Sequence, residues 1–285
     1  MPRLTVFILV LLATMAQAWA EDLVLYGAGS LREAMTQITA SFGQAHCLTV
    51  ATQFGPSGRM RERIEKGEQV DVFTSADVGH ARKLVEDGRA SVMAVFARNT
   101  VCVLSPAVFG ATTQNLLDKL LAPGIRVGVS PAKVDPLGDY TERRFEAAEQ
   151  LRPGSGAALR ARTVVLDTPS NSPPPKSGDT DADAILAGRV DASIVYCSGR
   201  ERYGRILPNA TVIAFPTELQ VGPEYGLAVL KDARPGATLL ALTILSPSGQ
   251  KLLAERGFRP VRAHHVILVR GQDAAPLGVT MCDCV

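Results

Sequence analysis

Short apolar runs alternate with amphipathic stretches through most of the 285 residues, and this alternation confines the chain to an α/β architecture. Residues 23–26, 48–54, 70–74, 100–104, 125–130, 192–196 and 211–215 read as strands. Between them, Leu31, Ala34, Met35, Ile38 and Phe42 recur at helical spacing, so one face of that segment packs on a sheet. A helix from Ser57 stops at Gly67, one capped by Asp77 stops at Gly88, and one opened by Ser246 and Pro247 stops at Gly257. A further helix starts near Asp179 and ends at Gly188. Alternation of this kind implies largely parallel sheets, with ligand sites at the carboxyl ends of the strands.

Two such ends carry a serine, Ser30 and Ser57, and a third turn follows at 71–77. Each offers free backbone N–H groups, a hydroxyl and the positive end of a helix dipole, which is a way to grip an anion without a formal charge. The bland alternative for both serines is helix capping.

The N-terminus reads as an address. Arg3, an apolar run over 4–13 and the small residues Ala18 and Ala20 form a secretory signal over residues 1–20, too short to span a bilayer. The expected mature chain is exported to the periplasm, cleaved at or near Ala20, and not inserted in a membrane. A net charge of +2 argues against a nucleic-acid surface. The five cysteines are too scattered for a disulfide scaffold; Cys102, in an apolar strand, reads as a buried thiol. Three successive prolines make 170–178 a loop, and 262–285 has no clear packing face.

Seven segments, in order, resemble the periplasmic molybdate-binding proteins of ABC importers: YGAGSLREA at 26–34, GPSGRM at 55–60, DVFTSAD at 71–77, DPLGDY at 135–140, SIVY at 193–196, YGLAVL at 225–230 and LSPSGQ at 245–250. The resemblance implies a two-lobe periplasmic-binding-protein-like fold (type II), each lobe a mostly parallel sheet flanked by helices, with the ligand cleft between lobes. It places 21–104 with 225–261 in lobe one and 105–224 in lobe two. It implies ligand contacts from Ser30 and Ser57 in lobe one, and from the backbone N–H groups of Leu137 and Gly178 and the phenol of Tyr196 in lobe two. It also implies molybdate or tungstate as ligand, no cofactor, a membrane permease as partner and a monomeric chain. Two features depart from the family pattern: the proline-rich loop with Lys176, and Asp139, which is expected to face solvent or cap a turn.

Molybdate near neutral pH only accepts hydrogen bonds, so a site made of donors suits it. Sulfate, phosphate and an iron(III) cargo stay open; Tyr140, Tyr196, Tyr203 and Tyr225 contain no pair adjacent in sequence, which disfavours iron. A soft metal at His264-His265 or Cys282 and Cys284 falls in the unmatched tail. A serine hydrolase is disfavoured because no G-x-S-x-G occurs, and His46 and His80 sit at no strand end.

Overall fold

The computed structural model describes residues 23–166, 175–261 and the short strand at 269–270. The expected signal segment, Pro173 and Pro174 of the triple proline and most of the 262–285 tail lie outside the described residues.

Lobe one begins with β1 (Leu23–Ala28), α1 (Arg32–His46), β2 (Val50–Gly55), α2 (Ser57–Glu65), β3 (Val72–Ser75), α3 (Val78–Glu86) and β4 (Ala90–Arg98). Lobe two holds β5 (Val101–Pro106), α4 (Leu116–Leu121), β6 (Val127–Val129), α5 (Pro136–Leu151), α6 (Ser155–Arg160), β7 (Thr163–Val165), α7 (Thr180–Leu186), β8 (Ala192–Tyr196), α8 (Arg200–Ile206) and β9 (Ala210–Ala214). The chain then returns to lobe one as β10 (Glu224–Leu230), α9 (Ala237–Leu245), α10 (Pro247–Glu255), β11 (Arg259–Pro260) and β12 (Val269–Arg270). The caps read from sequence hold: Asp77, Asp179 and Ser246 each accept a backbone N–H of the helix they open.

The two sheets run β11-β4-β10-β3-β1-β2, with β12 also on β4, and β7-β6-β8-β5-β9. Both are mixed rather than mostly parallel. β2, β1 and β3 are parallel neighbours, as are β7, β6 and β8; β10 and β5 enter antiparallel to them. The parallel half of each sheet supplies the strand ends that face the cleft.

The first crossover falls at residues 99–100 instead of after 104, because β5 pairs with β8 and β9 and so belongs to lobe two. The second crossover precedes β10. The two lie side by side, with Asn99 N–H donating to Pro223 O at 3.0 Å. One apolar cluster runs through this junction, taking in Phe96, Tyr225 and Phe258 from lobe one and Val101 and Tyr196 from lobe two.

Candidate functional site in the cleft

Parallel pairing sets the ends of β2, β1 and β3 in a row. β1 runs into a 3-10 turn carrying Ser30, β2 into α2 at Ser57, and β3 into the turn before α3. Gly27, near the end of β1, has no room for a side chain, since a Cβ there would lie 2.8 Å from the Phe54 ring and 2.9 Å from Thr74 Oγ1.

Ser57 is buried, and its hydroxyl accepts the Ala76 N–H at 3.1 Å. It does not cap its own helix. Having accepted, it keeps its proton for donation. Ser30 Oγ lies 2.9 Å from the Tyr225 hydroxyl, which in turn receives the Asn99 side-chain amide at 3.0 Å. With the Tyr225 proton directed to Ser30, the Ser30 proton is also left to donate.

From lobe two, Tyr196 ends β8 only 8 % exposed, and its hydroxyl finds no partner in good hydrogen-bond geometry, its one interaction of that kind being a weak one with the Tyr225 side chain. Its ring meets that of Tyr225 at 5.8 Å and 65°. The two phenols are electrostatically coupled, and burial raises the pKa of both well above the usual tyrosine range. Ser30 and Tyr196 are therefore joined through Tyr225, a residue whose role the sequence did not disclose. Tyr196 and Tyr225 also form a spatial pair of tyrosines absent from the linear spacing. Ser57 approaches lobe two through its neighbour Gly58, whose N–H donates to Val134 O at 3.0 Å across the cleft.

The two expected backbone donors are already engaged. The Leu137 N–H points at Asp135 Oδ1, 3.0 Å away, because Asp135 caps α5. The Gly178 N–H closes a turn on Pro175 O at 2.9 Å, and the amides of Lys176 and Ser177 both go to the Asp183 carboxylate. The structure does not bring Gly178 into the donor set. Asp139 does cap a turn, accepting the Lys133 N–H at 2.8 Å.

Asp135, quoted only as the first residue of the DPLGDY motif, and Arg144 are charged groups to which the sequence assigned no role. The Asp135 carboxyl is pushed up by burial, against the pull of the Leu137 amide, the Ser130 hydroxyl and Arg59. Its signal was present, since an Asp followed by Pro opens a helix. Arg144 is 1 % exposed and donates to Tyr140 O and Val221 O at 2.9 and 2.8 Å. Its guanidinium faces the Phe215 ring at 5.3 Å. Among the described residues it forms no ion pair, and burial lowers its pKa to about 10. A buried cation without a carboxylate leaves positive potential behind Tyr196, to which it is coupled. Its place two helical turns after Leu137, on the buried face of α5, was legible from spacing.

Further contacts join the lobes. Tyr140 donates to Asp77 Oδ2 at 2.7 Å, Arg205 pairs with Glu33 at 2.8 Å and Arg256 with Glu201 at 3.6 Å. The expected thiol Cys102 is instead disulfide-bonded to Cys197. Antiparallel β5–β8 pairing, with Val101 opposite Tyr196, brings the two cysteines within reach despite 95 residues of separation. The described histidines have other company, His80 beside Arg61 at 3.2 Å and His46 on the Phe42 ring. Surface hollows of about 320 and 470 Å³ lie on lobe one between α1, α9 and α10, away from these strand ends. Among the described residues no helix is long and apolar enough to cross a membrane, and no cluster of His, Cys, Asp or Glu could hold a metal.

Two α/β lobes, joined by two crossovers and meeting over strand ends rich in hydroxyls, define the architecture of a solute-binding protein. Residues 23–259 match the family described as bacterial extracellular solute-binding protein, and the chain belongs to it. An uncharacterized protein of Pasteurella multocida, PM1146, is 33% identical over 237 residues, covering 82% of this chain and 96% of that protein. The fold resembles the periplasmic molybdate-binding protein of Azotobacter vinelandii (TM-score 0.68, 18% identity, 85% of this chain and 100% of that one). It also resembles the sulfate-binding protein SubI of Mycobacterium tuberculosis (TM-score 0.69, 18% identity, 85% and 88%).

Proposed function

We propose that this protein captures a small tetrahedral oxyanion between its lobes, with molybdate and tungstate as the ligands, for delivery to the permease of an ABC importer. The observation that carries this reading is the Tyr196 hydroxyl, buried, without a well-formed hydrogen bond and set against the Tyr225–Ser30 pair. A buried hydroxyl without a good partner costs about 1–3 kcal/mol, a cost that an anion accepting its proton removes. Ser30 and Ser57 each have a proton to give, and Arg144 supplies positive potential without contacting the cleft through a salt bridge. The ordered motif resemblance to molybdate-binding proteins supports molybdate over other tetrahedral anions, and cavity size would reject the smaller sulfate.

The Cys102–Cys197 bridge fits an oxidising compartment and supports export to the periplasm. An iron(III) cargo is the less favoured reading. The Tyr225 oxygen is already engaged by Asn99 and Ser30, and among the described residues no cluster of carboxylates or histidines stands beside the two phenols to complete a ferric site.

Titration calorimetry with molybdate, tungstate and sulfate tests the proposal. Molybdate and tungstate should bind at least tenfold more tightly than sulfate. Equal affinities would remove the selectivity, and absence of heat with all three would overturn the oxyanion reading.

A further inference from the structure

Resting on the oxyanion reading, one residue of the cleft is out of character with the rest. Ser30, Ser57 and Tyr196 have protons to give, but the Asp135 carboxylate sits where α5 would otherwise present its first amides to an anion. It is held by the Leu137 N–H at 3.0 Å and by the Ser130 hydroxyl. Groups from every side sense it: Arg59 from α2, Asp139 from α5, Asp181 from α7, Tyr196 from β8 and Tyr225 from β10. A fully ionised dianion placed among these groups would face a second set of acceptor lone pairs with nothing between them.

We propose that the occupied site holds one proton shared between Asp135 and the bound oxyanion. A ligand without a proton, such as molybdate or sulfate, then binds together with a proton that Asp135 takes from solvent. A ligand that carries its own, such as hydrogen phosphate, donates that proton to the Asp135 carboxylate and takes up none. The balance is the same in both cases: one O–H between two oxygens, supplied by water or by the ligand. Burial, which already favours the neutral carboxyl, lowers the cost of the first route.

Calorimetry between pH 6 and 9, in buffers of differing ionisation enthalpy, reads this directly. Wild type should take up close to one proton per molybdate, and its affinity should fall up to tenfold per pH unit as pH rises. Above pH 7.5 phosphate should show no such fall. Asp135→Asn keeps a side chain that caps helices well, so folding is retained. It should bind molybdate with no proton uptake and a flat pH profile. Asp181→Asn, the control for the neighbouring acid, should leave the uptake unchanged.

Proton uptake that is nil in wild type, or that persists in Asp135→Asn, overturns the proposal while leaving oxyanion binding intact. Absence of binding by molybdate, sulfate and phosphate to both wild type and Asp135→Asn removes the underlying reading, and the proposal with it.

Discussion

At the scale of single residues, two hydroxyls of the cleft differ in what their removal does. Tyr196 Oη has no well-formed hydrogen bond, so Tyr196→Phe should leave the thermal midpoint unchanged or slightly raised while weakening molybdate binding by about 1–3 kcal/mol. Ser57 Oγ accepts the Ala76 N–H, so Ser57→Ala leaves that amide orphaned. It should lower both affinity and stability, each by about 1–3 kcal/mol. Calorimetry beside a melting curve separates the two, and a Tyr196→Phe protein that melts early would contradict the weakly partnered phenol. Asp135 carries a pH signature of its own. Its folded-state pKa is raised, so its stabilising contribution is present below the unfolded value near 3.9 and is lost as pH rises through the folded value. Asp135→Asn should therefore gain stability relative to wild type as pH increases. Ser30 and Ser57 stood out because each follows an apolar strand at the start of a helical turn, whereas Tyr196 was singled out only through the family resemblance. Asp135 was legible only as a cap, because the sequence cannot tell whether a capping carboxylate also faces a ligand.

At the scale of elements, the strands read from sequence were those with one sharp boundary and a helix behind it. β4 escaped: its nine residues are mostly buried, so no polar alternation marks it. β10 was visible only as a motif for the same reason. The parallel halves of both sheets followed from strand–helix alternation, whereas the antiparallel entry of β5 and β10 depends on the crossovers, which leave no local trace. Two elements are pinned by remote partners. Asp71, fully buried, pairs with Arg234 at 2.6 Å and accepts the N–H groups of Val24 and Arg234, fixing the chain after β10 to the start of β3. Asp71→Ala should cost about 3–5 kcal/mol in urea unfolding, as expected for an orphaned buried charge. The Cys102–Cys197 bridge joins β5 to the residue after Tyr196 across 95 positions. Its reduction should cost up to about 4.7 kcal/mol from loop entropy, read as a drop in the urea midpoint with dithiothreitol.

For the whole molecule, closure of the lobes rests on contacts that need little room. A Cβ at Gly58 would lie 2.6 Å from Val134 O, a backbone atom of the opposite lobe. Gly58→Ala should therefore leave each lobe folded but hold them apart, and small-angle scattering with saturating molybdate should show a larger radius of gyration than wild type. Scattering identical to wild type would mean that the cross-cleft approach is not required for closure. Asp77 occupies a different position in the same economy of space. One oxygen opens α3 by accepting the Gly79 N–H, and the other receives the Tyr140 hydroxyl from across the cleft. Engagement of the far lobe is thus felt at the root of a helix on the outer body of the near one. A transporter that touches α3 would have a means of telling a laden carrier from an empty one without ever seeing the cargo.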